Sequence, residues 1–433
     1  MTSEVLLMNK HAVVIAADSA VTLMYEPHAR YSKHANKIFD ISIHGNIAAT
    51  IFSSAEIDRV PWKLVLKLFR EELSSQPPLA KLDNYVEKII DFVQDNECLF
   101  PIDVRNAVLK SRFSYIVSRI LEIIKNEFKD ISNLEISEDK RKELMAKGIE
   151  YCNKIIEIDN DLFSRFNDCF TGLSFALEEE VREKFVKIDI YNIINWPQLI
   201  DVAKKIFLSR LPFLGYTGML LTGYGSKDIF PGYIQVCIYG HIGKKLLWKI
   251  SGRNSISHSN SSCIVPFAMT SMIDRFTDGF DNKLRDIILA ESRKAFKAVF
   301  LDLGSAGYAI PEDISASIID NRIEKFMKTW KEQSLEANLY PLRQILSHLS
   351  VQEMGNMAES LLILESLRER MTSASESVGG PIDVVAITKT EGLLWLKRKH
   401  FFNPELNPRY LERSKIAYHA RDAVDKETND VIA

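Results

Sequence analysis

The spacing of apolar residues changes period several times along the 433 residues. Between Glu4 and Ile51 the runs EVLLM, AVVIAA, KIFDIS and NIAATIF are short and dense, with polar clusters at Asn9 and at His44-Gly45-Asn46 between them. They predict strands joined by turns. Pro61 then opens a helical pattern with Trp62, Val65, Leu66, Phe69 and Leu73 on one face. Pro77-Pro78 breaks it, and a second helix carries Val86, Ile89, Ile90 and Val93. From Asp103 to about Leu211 the period is helical almost throughout. One run starts at Asp103 and another at Ser137, an N-cap followed by Glu138 and Asp139 near the positive helix end.

Strand patterns return at GYTGMLLTGYG, GYIQVCIYGH and KKLLWKIS. The polar segment GRNSISHSNSS is expected to be a loop leading into helices near Pro266 and Asn282. Helical spacing resumes over roughly Glu312–Glu336, and over Val351–Arg370 behind the capping box Ser350-Val-Gln-Glu353. GGPIDVVAIT and GLLWLKR close the pattern as a hairpin turning at Lys389–Gly392, before a polar tail. Strands, helices, strands, helices and strands in blocks do not make the regular alternation of a parallel sheet. They predict an α+β fold, two antiparallel sheets with helices packed outside them. The expected units are residues 2–95, the N-terminal part of the sandwich; 96–211, a helical insertion; 212–303, central strands and helices; 304–349, a second helical insertion; 350–397, the closing helix and hairpin; and 398–433, a tail.

Composition narrows the class. With 46% hydrophobic and 26% charged residues, the chain is neither disordered nor low-complexity. A net charge of -3 offers no global basic field for nucleic acid or an anionic membrane. Five widely spaced cysteines without a CxxC pair read as reduced core residues. The N-terminus MTSEVLLMNK lacks a signal peptide's basic and long apolar regions, and no apolar run is long enough to span a bilayer. A cytoplasmic location is expected. Gly223-Tyr-Gly225 lacks the rest of a phosphate loop, Asp159-Asn-Asp161 lacks the rest of a calcium loop, and the histidines show no ligand spacing.

The candidate chemistry sits at the beginning of the chain. If Met1 is removed, Thr2 carries both a hydroxyl nucleophile and a free amine, whose ordinary pKa near 8 lets it accept the hydroxyl proton. A hairpin of Thr2–Met8 with Ala12–Ala17 brings Asp18 back beside Thr2. Lys37, on a third strand, then supplies a cation that lowers the hydroxyl's proton affinity, with Asp18 holding it. VVIAADSAVT followed by HANKIFDI, one residue after an initiator Met, resembles the N-terminal region of proteasome β-type subunits and their bacterial relatives. These are threonine peptidases of the N-terminal-nucleophile (Ntn) hydrolases.

The resemblance implies the four-layer αββα Ntn sandwich, with Thr2 as nucleophile, Asp18 as acid and Lys37 as the partner lysine. It puts Thr22 where backbone pairs with bound peptide, and it extends to SVQEMGNMAESLLIL and the closing hairpin. It further implies cleavage of peptide or other amide bonds through an acyl-enzyme, with no cofactor and no metal. The implied partners are a peptide or protein substrate, further copies of the chain in a homo-oligomer, and an unfoldase or regulatory partner. The chain departs from the family in four respects. The loop between Ala20 and Lys37 is slightly longer than usual and contains Pro27. The oxyanion-hole glycine is replaced, leaving Thr50 or Ser53. SASESVGG has Ser375 and Ser377 but no aspartate in register to support the amine. The long helical insertion is foreign to ordinary proteasome subunits. These departures leave a second expectation, a non-catalytic assembly or interaction protein that binds through its helical insertion.

Overall fold

The first strands turn on one side chain. Asn9 Oδ1 accepts the backbone N–H groups of His11 and Ala12 at 2.9 and 3.1 Å, an Asx-type reversal. It joins β1 (Ser3–Asn9) to β2 (Ala12–Ala17) with Glu4 opposite Ala17 and Met8 opposite Val13. That register carries the chain end back to its start, where Asp18 N donates to Ser3 O at 3.1 Å. The computed structural model describes residues 3–25, 28–32, 34–133, 135–170, 173–209, 215–308, 311–372, 379–400, 402–409 and 412.

The remaining strands are β3 (Val21–Tyr25), β4 (His28–Ser32), β5 (Ile38–Asp40), β6 (Ile47–Ser53), β7 (Glu56–Ile57), β8 (Val60–Pro61), β9 (Thr217–Gly223), β10 (Gly232–Ile242), β11 (Lys245–Ser255), β12 (Ser262–Ala268), β13 (Asp383–Thr388) and β14 (Gly392–Lys397). One antiparallel sheet has the order β12-β1-β2-β13-β14 and the other β11-β10-β9-β6-β5. The helices are α1 (Trp62–Leu73), α2 (Leu82–Asp95), α3 (Ile102–Glu127), α4 (Glu138–Lys154), α5 (Asn160–Phe166), α6 (Ser174–Phe185), α7 (Trp196–Phe207), α8 (Ser271–Thr277), α9 (Asn282–Ser305), α10 (Glu312–Ala337), α11 (Leu339–Leu346) and α12 (Val351–Thr372).

Period two decides the layers. Leu6 and Met8 of β1 face the second sheet, packing with Ile38, Ala48, Phe52 and Leu220. Val5 and Leu7 face the opposite way, against Met354, Ala358 and Leu362 of α12. From Val5 to Met8 strand β1 is therefore apolar on both faces and reads as a continuous run rather than an alternating one. On the far side, α1 and α2 cover the second sheet with Trp62, Phe69, Val86 and Ile89 over Ile47, Met219 and Val236. The result is a four-layer αββα sandwich of two antiparallel sheets. Helices α3 to α7 build a core of their own around Phe113, Ile120, Met145, Leu199 and Phe207, which joins the sandwich through Ile242 and Leu247.

Three expectations need correction. No helix starts near Pro266: Ser262–Ala268 is strand β12, with Pro266 opposite Val5, and the helix α8 begins at Ser271. An edge strand tolerates a proline because one side of its backbone needs no ladder bond. The stretch between Ala20 and Lys37 is more than a loop, since β3 and β4 pair there as a small separate hairpin. The boundary drawn at residue 304 falls at the end of α9, which packs on α10; the two form one helical hairpin beginning at Asn282.

Candidate active site

The carboxylate of Asp18 is the hub of the site. It is 1% exposed, and its Oδ1 accepts Ser3 N at 3.0 Å together with the Lys37 ammonium. Its Oδ2 accepts Gly379 N at 2.9 Å and Ala20 N at 3.3 Å. A buried carboxylate is tolerable when its lone pairs meet donors and a cation, and here three backbone N–H groups and one ammonium do so. The donors come from three distant segments. The β1–β2 register brings Ser3, and the strap before β5 brings Lys37. The turn before β13 brings Gly379, whose φ of +140° a side chain would strain. That strap is pinned by Ala35 N to Ser19 O at 3.1 Å and by Ile51 N to Lys37 O at 3.2 Å.

Lys37 is 4% exposed. Burial pushes its proton affinity down, and the negative charges of Asp18 and Glu4 push it back up. Its side chain borders a cavity of about 490 Å³, walled by Ala20, Val21, Phe39, Ser53, Trp62 and Ala268. The indole of Trp62 is fixed there by its Nε1–H, which donates to Thr217 Oγ1 at 2.9 Å. Two of the walls carry unusual backbone: Ser53 at φ 70° and Ala268 at φ 63° lie in the left-handed region. Non-glycine residues in that region cost of order 1–3 kcal/mol each and gather at functional sites.

The residues singled out in the sequence now separate. Asp18 and Lys37 are in direct contact. Ser53 is exposed on the cavity wall. Thr50 does not line that cavity: it is fully buried, one period-two step from Ala48 on the inner face of β6. Thr22 lies on β3, opposite Tyr31 of β4. Among the described residues β3 has β4 as its one partner strand. Thr2, Ser375 and Ser377 lie outside the described residues.

Sequence reasoning missed Glu4. It shares the inner face of β1 with Leu6 and Met8 and is completely buried. The signal was present in SEVLLMN, where period two makes Glu4 the single charged residue of a core strand. Desolvation pushes its carboxyl up to about 8, against the opposing pull of Lys37.

Among the described residues no three His, Cys, Asp or Glu side chains gather to hold a metal ion, and all five cysteines are unpaired. No described helix is long and apolar enough to cross a membrane.

No protein-family model and no curated protein matches the chain. Solved structures with similar arrangements include an Anbu (Gly-1) mutant from Hyphomicrobium sp. strain MC1, at 10% identity and a TM-score of 0.30, with 97% of each chain covered. Anbu from the same strain matches at 10% identity and a TM-score of 0.29, covering 96% of this chain and 97% of that one. Anbu (ancestral beta-subunit) from Yersinia bercovieri matches at 12% identity and a TM-score of 0.24, with the same coverage. Likeness at that level carries no chemistry across, which the site's own geometry has to supply.

Proposed function

We propose that the chain is a proteasome-like N-terminal threonine hydrolase, cleaving peptide or other amide bonds through an acyl-enzyme on Thr2 once Met1 has been removed. The observation that carries this reading is the buried Asp18–Lys37 pair, tied by Asp18 to the N–H of Ser3 and bordering a cavity. Ser3 is the covalent neighbour of Thr2.

In this reading the Thr2 hydroxyl attacks the substrate carbonyl and its proton passes to the residue's own amine. The Lys37 cation favours the developing alkoxide, and Asp18 holds Lys37 in place. The carbonyl oxygen takes up the negative charge, and the Ser53 backbone N–H is the proposed donor to it. Collapse of the tetrahedral intermediate breaks the C–N bond, and the amine returns its proton to the leaving nitrogen. Water then adds to the ester and gives a proton to the Thr2 amine; collapse breaks the acyl C–Oγ bond, and the amine returns that proton to Thr2 Oγ as the acid leaves. Every step uses groups of the chain, the substrate and one water.

The experiment is a pair of variants assayed on peptide and simple amide substrates. Thr2→Ala is expected to lose turnover and keep the fold, and Lys37→Ala to lose it by about 10²-fold or more. Undiminished turnover in Thr2→Ala would discard the nucleophile and with it the reading.

A second reading, a non-catalytic assembly protein, draws on the exterior of the α9–α10 hairpin. Helix α9 buries none of its residues and leaves Val299 and Leu301 exposed, Leu301 by 72%. Exposed apolar side chains on one element favour a protein partner, and the hydrolase reading accommodates this as self-association into a homo-oligomer.

A further inference from the structure

The inner face of β1 ends in a carboxyl group, Glu4, among apolar neighbours. Glu4 lies on the core side of the strand with both carboxyl oxygens shut off from solvent. Neither oxygen finds a hydrogen-bond donor of good geometry among the described residues. The Thr50 hydroxyl comes against it from β6 and pulls the carboxyl's proton affinity down, though outside good hydrogen-bond geometry. A buried polar group left unsatisfied costs about 1–3 kcal/mol, so a strand that needed only packing would carry an aliphatic residue there.

The surroundings show what the carboxyl faces. Across the ladder from Glu4 stand Phe267 on β12 and Ala17 on β2, both uncharged. From β6 comes Thr50, and from the strap before β5 the charge of the Lys37 ammonium, which is paired with Asp18. One strand further, Asp383 on β13 lies opposite Ala17 and is paired with Lys399. The charge of Lys399 acts on Lys37 in the opposite sense from the carboxylates. Lys37 therefore feels two acids of unequal kind. Asp18 is held by four hydrogen-bond donors, whereas burial outweighs the pull of Lys37 and Thr50 on Glu4.

We infer that Glu4 is a further positioning residue of this site, acting on the chemistry only through Lys37 by fixing how firmly that lysine holds its proton. The inference rests on the threonine-hydrolase reading for its link to catalysis. Its electrostatic core stands apart from that reading. With its carboxyl near 8, Glu4 is neutral at lower pH, where Asp18 alone balances Lys37. As pH rises through that value Glu4 ionises, and a second negative charge then stands beside the ammonium just where a buried lysine would lose its proton. Glu4 thereby extends the pH range over which Lys37 stays cationic. It does so without touching substrate.

The test measures the titration of Lys37 directly. Trace acylation of the intact protein with acetic anhydride across pH 6–11, read by mass spectrometry at Lys37, gives its midpoint in the wild type, Glu4→Gln and Glu4→Met. Glu4→Met is an apolar side chain of similar length and serves if the glutamine variant does not fold. Removing the carboxyl is expected to lower the midpoint by roughly one unit, the size of effect a neighbouring opposite charge has on a buried group. The alkaline limb of kcat/KM on an amide substrate should move to lower pH by the same amount, while the acid limb, set by the Thr2 amine, stays in place. A Lys37 midpoint unmoved in both variants overturns the inference, even if activity falls. A shifted midpoint with turnover that survives Thr2→Ala supports Glu4 as the regulator of Lys37 and discards the hydrolase reading instead.

Discussion

At the scale of single residues, Glu4 makes stability depend on pH in a direction that can be worked out. Its carboxyl titrates near 4.5 in the unfolded chain and near 8 in the folded one. A group raised in this way contributes its full stability below the unfolded value and loses it as pH climbs through the folded value. Between pH 4.5 and 8 the unfolded state gives up a proton that the folded state keeps, so the fold weakens by about 1.4 kcal/mol per pH unit from this group alone. Glu4→Gln is therefore expected to gain on the wild type steadily from pH 5 to pH 8 in denaturant titrations, by several kcal/mol in total. A constant difference across that range would show that Glu4 does not carry the raised affinity. Ser53 offers a second test. Its left-handed backbone is where glycine is at ease. Ser53→Gly should relieve strain of order 1 kcal/mol, offset in part by the freer unfolded chain, and should melt within a few degrees of the wild type. A large loss on melting would mean that the serine side chain, not the backbone, is what the site needs. Asp18 and Lys37 were legible because residue type and strand spacing both pointed at them, whereas Glu4 was hidden by its setting in an apolar run.

At the scale of elements, amphipathic helices could be read closely and strands less so. Helix α1 was announced by Pro61 and by five residues at helical spacing, all of which are buried. Helix α12 was announced by its capping box, in which Glu353 accepts from Ser350 N at 2.8 Å and Ser350 Oγ from Glu353 N at 3.4 Å. Strand β12 escaped because SCIVPFA contains a proline, and local pattern cannot distinguish an edge strand from a helix start. Its pairing with β1 is decided by residues more than 250 positions away, beyond any local window. The wall that α1 gives the cavity has a side-chain anchor in the Trp62 indole on Thr217 Oγ1. Thr217→Val keeps the shape and removes the acceptor, leaving a buried N–H unpaired. It is expected to cost about 1–3 kcal/mol in urea unfolding. No measurable cost would mean that the indole finds another partner and that the anchor is dispensable.

At the scale of the whole molecule, two antiparallel sheets with helices outside followed from the block order of strands and helices. The packing of α3 to α7 onto β10 and β11 did not, because it depends on which apolar faces meet. That block is bound to the sandwich by charge as well as packing. Arg112 of α3 lies 3.8 Å from Asp58 Oδ1 and donates to Tyr239 O on β10. Exposed apolar residues on α9 and at the end of α12, where Met371 is 80% exposed, lead to the expectation of a homo-oligomer. Light scattering at micromolar concentration should give a multiple of the chain mass. A strict monomer would leave the insertions, rather than assembly, to guard the cavity. The central claim is tested most directly by the intact mass of purified, active protein before and after a covalent threonine-directed probe. The expected species is a chain lacking Met1 that takes up one probe molecule, mapped to Thr2 and lost in Thr2→Ala. An active preparation that retains Met1, or a probe that lands on another residue, would contradict it.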